Sequence, residues 1–264
     1  MRNILLTVSY DGTDFCGWQR QDDKDGGQAS RTVQAEIEKA LEKLCGTKIT
    51  LYGSGRTDSG VHALEQAANF YSPIDSIPPD NYVRALNAFL PKDVRILKSC
   101  EVPQDFNSRK SATSRVYRYF ISYGEACSAD NNRFSWFVPN YNPDVTRLNK
   151  YTECLKGELD CAAFAASGDD SVSTNRYIDK AHFFIQQDRW GYNQLVFEIE
   201  ANAFLWKMVR TLTGTLVTLD KNEAPVDAMQ KILESCDRTK AGVTAPPTGL
   251  FLYKIKFDGV RRHV

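Results

Sequence analysis

Residues 55–63 read Gly55-Arg56-Thr57-Asp58-Ser59-Gly60-Val61-His62-Ala63, a turn bracketed by glycines. Its flanks, Lys48–Tyr52 and Gln66–Tyr71, read as short strands. Small residues at the bend let the backbone turn sharply and let a large substrate come close. Asp58 stands next but one to Arg56, and an aspartate beside a guanidinium presents an ionised carboxylate to whatever docks. The same tripeptide also reads as a surface Arg–Asp pair in a tight loop.

Elsewhere the chain alternates between two periodicities. Ile4–Tyr10 has strand alternation and ends in the turn Asp11-Gly12. Thr32 opens a helix running to Cys45, with Val33, Ile37, Ala40, Leu41 and Leu44 as its apolar stripe and Gly46 as its stop. Asn81–Leu90 reads as a helix, Val94–Val102 as a strand, and the aromatic-rich Arg115–Tyr123 as a central strand. Asp144–Leu155 is a helix, Tyr177–Ile185 and Leu195–Ala201 are paired strands, Phe204–Leu219 and Val226–Cys236 are helices, and Gly249–Phe257 is a final strand. Strict β-α-β alternation is missing. The expectation is therefore an α+β fold, with a mostly antiparallel sheet and helices over its outer faces. A boundary near Pro103–Phe106 divides it into 1–103 and 104–264, two halves of similar make-up.

Composition removes several classes of function. No run of about 18 apolar residues exists, so no membrane span is expected. The first residues, Met1 to Gly12, read as a strand and not as a signal peptide. The seven cysteines are odd in number and form no C-x-x-C pair, which fits a reducing, cytoplasmic setting without a disulfide framework. Three histidines, at 62, 182 and 263, form no metal-ligand pattern, so no metal is expected. Net charge is zero, which leaves nucleic-acid binding to a local basic face. Residues 107–118, with Arg109, Lys110, Arg115 and Arg118 and no acid, are such a face.

Further residues carry chemistry. Gln19, Arg20 and Gln21 offer amides and a guanidinium suited to phosphate and base contacts, while Phe15 and Trp18 beside them read equally as core. On a strand, 115, 117 and 119 share one face and 116, 118 and 120 the other. Arg115 and Tyr117 thus project together, an aromatic and a cation able to hold an unpaired base. Arg210 interrupts an apolar helix whose Phe204, Met208 and Leu212 fall on one side. A buried arginine needs an acceptor, and Asp58 is one candidate.

YDGTxFxGWQRQ at 10–21, RTVQ at 31–34, GRTDSGVHA at 55–63, the R-x-Y-R-Y strand at 115–119, the FLWKMVR helix ending in GT, and AGVTAPPTGL at 241–250 together resemble the TruA-type tRNA pseudouridine synthases. The resemblance spans roughly residues 4 to 257 and is weakest over 124–175. It implies two RRM-like α/β halves sharing a continuous mixed sheet, a homodimer, and isomerisation of uridine to pseudouridine in the anticodon stem-loop of tRNA, at positions 38, 39 and 40. No cofactor is implied. Asp58 matches the family's catalytic aspartate, Tyr117 the tyrosine that stacks on the target base, Arg210 the arginine that pairs with the aspartate, and Arg56 an arginine that helps extract the base. Asn107, in Phe106-Asn107-Ser108-Arg109, stands where many relatives carry histidine.

Two other classes stay open on the residues alone. A non-catalytic RNA-binding protein would use the basic strand and leave Asp58 structural. A glycoside hydrolase needs two carboxylates flanking the sugar, and Asp58 has no evident second.

Overall fold

Asn3, Ile4, Leu6, Val8 and Tyr10 are buried while Leu5, Thr7 and Ser9 are less so, and this alternation builds the first strand. The computed structural model describes residues 1–20 and 30–262. It forms two compact units, Met1–Ala112 with Leu252–Asp258, and Thr113–Phe251 with 259–262.

The first unit contains β1 (Arg2–Tyr10), α1 (Val33–Cys45), β2 (Tyr52–Gly53), β3 (His62–Ser72), α2 (Tyr82–Asn87) and β4 (Val94–Val102). β1 lies between β3 and β4 and is antiparallel to both, while β2 adds to β3. Val33, Ile37, Ala40 and Leu41 of α1 are buried as the stripe requires, and Gly46 ends the helix with φ 71 and its N–H on Glu42 O. Burial of each large member of that stripe contributes about 1.5–3 kcal/mol. Thr32 takes the extended N-cap conformation but makes no side-chain capping bond. Carbonyls of Gly17 and Trp18 instead accept from the amides of Val33 and Gln34, at 3.2 and 3.0 Å. The start of α1 is therefore tied to the segment that follows β1.

The second unit contains β5 (Ser114–Gly124), α3 (Ala129–Phe134), β6 (Trp136–Pro139), α4 (Val145–Thr152), β7 (Gly157–Asp160), β8 (Asn175–Gln187), β9 (Asn193–Ala201), α5 (Met208–Lys221) and α6 (Ala228–Ser235). Its strands run β5-β9-β8-β7, all antiparallel, with β6 parallel to the end of β5. The last strand, β10 (Leu250–Lys256), gives residues from Leu252 onward to the first unit, whose order becomes β4-β1-β3-β10. The fold is α+β, with mixed but mostly antiparallel strands.

Residues 104–112 belong to the first unit, beyond the 103/104 boundary expected from the sequence. The Asn3 amide holds them by donating to Pro103 O and Phe106 O, both at 2.9 Å, and Ser108 N donates to Asn69 Oδ1 at 2.9 Å. Helix α5 starts at Met208 and not at Phe204, because Lys207 is left-handed, with φ 59, and the helix cannot continue back through it. The poorly legible stretch 124–175 supplies α3, β6, α4 and β7. Asp144 caps α4 by accepting from Arg147 N at 2.9 Å. Among the described residues, no helix is long and apolar enough to cross a membrane, and no cluster of three or more His, Cys, Asp or Glu could hold a metal.

Candidate functional site

In the first unit, the 10–20 motif and the 55–63 turn form one piece. The Tyr10 hydroxyl and Thr57 Oγ1 lie 2.8 Å apart in the core. Trp18 N donates to Thr57 O at 3.1 Å, Gly60 N to Phe15 O at 3.3 Å, and Ser59 Oγ to the same Phe15 carbonyl at 3.1 Å. Gly12 N donates to Nδ1 of the buried His62 at 3.0 Å, which makes that nitrogen the imidazole's acceptor. Gly17 is required twice over: its φ is 94, and a Cβ there would meet Thr57 O at 2.6 Å. Phe15 and Trp18 are core residues that anchor the piece. On the far side, Gln66 Nε2 donates to Gly55 O at 2.9 Å. The turn is thus clamped on both sides. Thr57 points inward, Asp58 is half-buried and Arg56 is exposed.

The basic segment of this unit is shaped by Asn107. Its carboxamide oxygen accepts from the backbone amides of Arg109 and Lys110, at 3.1 and 3.0 Å, while Ser111 closes the same turn. An asparagine here is a turn former that presents Arg109 and Lys110 to solvent, where both are exposed. Arg20 is also exposed at its head and pairs with Glu38 at 3.2 Å. Gln19 is exposed, and Gln21 lies outside the described residues.

In the second unit, β5 carries the expected alternation. Tyr117 pairs with Ile199 of β9, is 8 % exposed, and meets Phe204 at right angles with ring centroids 5.0 Å apart. Phe204 is therefore a neighbour of Tyr117 and not a helical core residue. Arg115 Nη1 donates to Asn202 O at 2.6 Å. Tyr119 is fully buried, donates to Pro246 O at 2.7 Å, and its phenol is pushed well up by burial, with the charge of Arg210 partly opposing that rise. Arg118 faces the other way, where its Nε donates to Glu198 Oε2 at 2.7 Å and Lys180 approaches the second oxygen at 3.2 Å. Burial raises the Glu198 carboxyl, but these two cations outweigh it and hold the group below its ordinary value. Arg118 thus has its charge matched within the sheet.

Arg210, on the first turn of α5, is held by the 241–246 segment. Its Nε donates to Ala245 O at 2.7 Å, and Ala245 N returns a bond to Arg210 O at 3.1 Å. Gly214 makes this approach possible, since a Cβ there would lie 1.9 Å from Val243 O. Gly242 N on Thr215 Oγ1, at 2.9 Å, secures the next turn. The motifs at 204–215 and 241–250 are accordingly one structural piece, as the motifs at 10–20 and 55–63 are. Sequence reading names Asp58, Arg56, Tyr117 and Arg210 as candidates but does not single out the Tyr10–Thr57 pair, Phe204 or Ala245, which hold the segments that carry them. The one local signal for Tyr10 was its place in the buried phase of β1.

Comparisons with known proteins agree on one family. The family model described as tRNA pseudouridine synthase matches residues 6–109 and 152–258. The unmatched 110–151 include β5 and Tyr117. The tRNA pseudouridine synthase A of Treponema denticola is 52 % identical over 256 residues, covering 97 % of this chain and 93 % of that protein. The protein of the same name from Brachyspira hyodysenteriae is 42 % identical over 257 residues, covering 97 % and 99 %. That from Caldicellulosiruptor bescii is 38 % identical over 257 residues, covering 97 % and 100 %.

Proposed function

Because the chain belongs to the tRNA pseudouridine synthase family, we propose that it isomerises uridine to pseudouridine in the anticodon stem-loop of tRNA, at positions 38, 39 and 40, with Asp58 as the reacting carboxylate. The observation that supports this most is the clamped 55–63 turn. It fixes the backbone on both sides of Asp58 while leaving the carboxylate half-buried, the preorganisation a reacting group needs.

The reaction breaks the C1′–N1 bond, turns the uracil, joins C1′ to C5, gives up the C5 proton and protonates the freed N1, so the product is an isomer of the substrate. It consumes no water and changes no oxidation state. A carboxylate serves each route to that outcome: attack on C1′, attack on C6, or removal of the 2′-proton before elimination. The target base leaves its stack at a cost of a few kcal/mol, and stacking on Tyr117 returns about 1–3 kcal/mol of it. Phe204, set at right angles to Tyr117, keeps that ring in place. The family resemblance assigns Arg210 to the reacting carboxylate and Arg56 to base extraction. Arg20, Arg109, Lys110 and Arg115 grip the RNA backbone, whereas Arg118 mainly ties β5 to Glu198. The active form is a homodimer, which sedimentation tests.

Asp58→Asn on an unmodified tRNA transcript, with pseudouridine read position by position by carbodiimide labelling and primer extension, is the test. The expected result is no product at 38, 39 or 40 with tRNA affinity within several-fold of wild type. Turnover within tenfold of wild type would overturn the assignment of Asp58. Product elsewhere in the tRNA would overturn the assigned positions. Tyr117→Phe is expected to keep tRNA binding while Tyr117→Leu loses it, since only the former retains a π-face.

A further inference from the structure

The β8–β9 hairpin ends in Asp188-Arg189-Trp190-Gly191-Tyr192, where Trp190 is 65 % and Tyr192 63 % exposed. Two large aromatics left in water on one tip are unusual for a folded domain, and this tip is built to hold them there. The Asp188 carboxylate accepts from Trp190 N at 2.8 Å, Tyr192 N at 2.9 Å and the Asn131 amide at 2.6 Å. Asp188 N donates to Tyr192 O at 2.9 Å. The Trp190 indole N–H donates to Asp130 Oδ2 at 2.6 Å, so the ring is pinned by its edge and not folded onto a core. Asp130 is also met by Ser128 Oγ at 2.8 Å and by Arg189 at 3.9 Å.

We propose that this tip is a second tRNA contact that binds by stacking Trp190 and Tyr192 on unpaired bases, away from the residue that receives the target uridine. It rests on the family's tRNA substrate and is independent of the roles given to Asp58, Tyr117 and Arg210. Within the second unit, Tyr117 sits at the level of Ile199, and from there to Asn193, where the tip begins, is about 20 Å of strand. A nucleotide reached by the tip is therefore not the one lying on Tyr117.

The surroundings favour RNA bases over a protein partner. The exposed neighbours of the aromatics along the hairpin are the polar Gln187, Arg189 and Asn193, with Ile185 part-exposed further back. The charges that meet at the tip, Arg189 against Asp130 and Asp188, leave no positive excess, so binding relies on π-faces and little on phosphate.

The test measures binding of a tRNA transcript across a salt series, with turnover at saturating tRNA, for the wild type, for Trp190→Ala with Tyr192→Ala, and for Trp190→Phe with Tyr192→Phe. The alanine pair is expected to bind at least about thirtyfold more weakly, with an unchanged salt slope and unchanged saturated turnover. The phenylalanine pair, which keeps both rings but loses the Asp130 bond, is expected to stay within about threefold of wild type. Equal affinity of the alanine pair and wild type overturns the proposal. So does an equal loss in both pairs, which would make the tip structural, or a change in sedimentation of the alanine pair, which would make it a protein interface. If the wild type itself neither binds nor modifies tRNA, the functional reading fails and not the tip alone.

Discussion

The hydroxyls of Tyr10 and Thr57 lie 2.8 Å apart in the core of the first unit, joining the end of β1 to the residue between Arg56 and Asp58. Two motifs far apart in the chain are thereby one object. The first is scaffold for the second, and its glycine, aromatic and carbonyl groups position a turn that the second alone could not hold.

Tyr10→Phe removes one partner and leaves the Thr57 hydroxyl buried without it. A loss of about 1–2 kcal/mol in unfolding free energy is expected, with turnover reduced several-fold and tRNA affinity unchanged. Thr57→Val in the Tyr10→Phe background should then cost little more, since the two changes share one bond. Denaturant melts with single-turnover rates on the wild type, Tyr10→Phe, Thr57→Val and the double variant check this. Additive losses would mean that the hydroxyls do not act as a pair.

Arg210→Lys keeps the charge but loses the Nε–H that bonds Ala245 O. Turnover is expected to fall at least a hundredfold, with tRNA affinity within several-fold. Gly214→Ala should give a related result by another route, because its Cβ would displace the 241–246 segment that holds Arg210. Full activity of the lysine variant in a steady-state assay would reduce Arg210 to a packing residue.

Asp220 on α5 is 1 % exposed and accepts from Tyr141 OH at 2.7 Å, Arg147 Nε at 2.7 Å and Asp144 N at 3.2 Å. Burial first, and then the Asp220 carboxylate, push the Tyr141 phenol far up, so it stays a neutral donor. Asp220→Asn sets an amide N–H against one of these donors, while Arg147 keeps Asp144 at 3.8 Å and Glu223 at 4.0 Å, so the protein should be destabilised by about 1–3 kcal/mol. The check is a urea melt. A shift below about 1 kcal/mol would show that water replaces the carboxylate without penalty.

Replacing Arg109 and Lys110 together with alanine should weaken all tRNAs alike. The salt dependence of binding should flatten by up to about one unit of slope for each phosphate no longer neutralised. Single-turnover chemistry at saturating tRNA should change little. Filter binding between low and moderate salt reads this directly, and unchanged affinity and slope would move the RNA footprint to Gln19 and Arg20.

Local pattern determined much of this protein. Alternation in Ile4–Tyr10 and the aromatic and β-branched content of Arg115–Tyr123 marked strands, the stripe from Val33 to Leu44 with Gly46 marked α1, and the motif order pointed to the family. These signals are legible because each depends on residues a few positions apart. What only the tertiary structure decided are the long-range partners: Tyr10 on Thr57 across 47 residues, Arg210 on Ala245 across 35, and Arg118 on Glu198 across 80. Sheet register and loop return set those pairings, and no periodicity encodes them. The start of α5 belongs with them, because the left-handed turn at Lys207 falls on a lysine, where glycine or asparagine would have announced it.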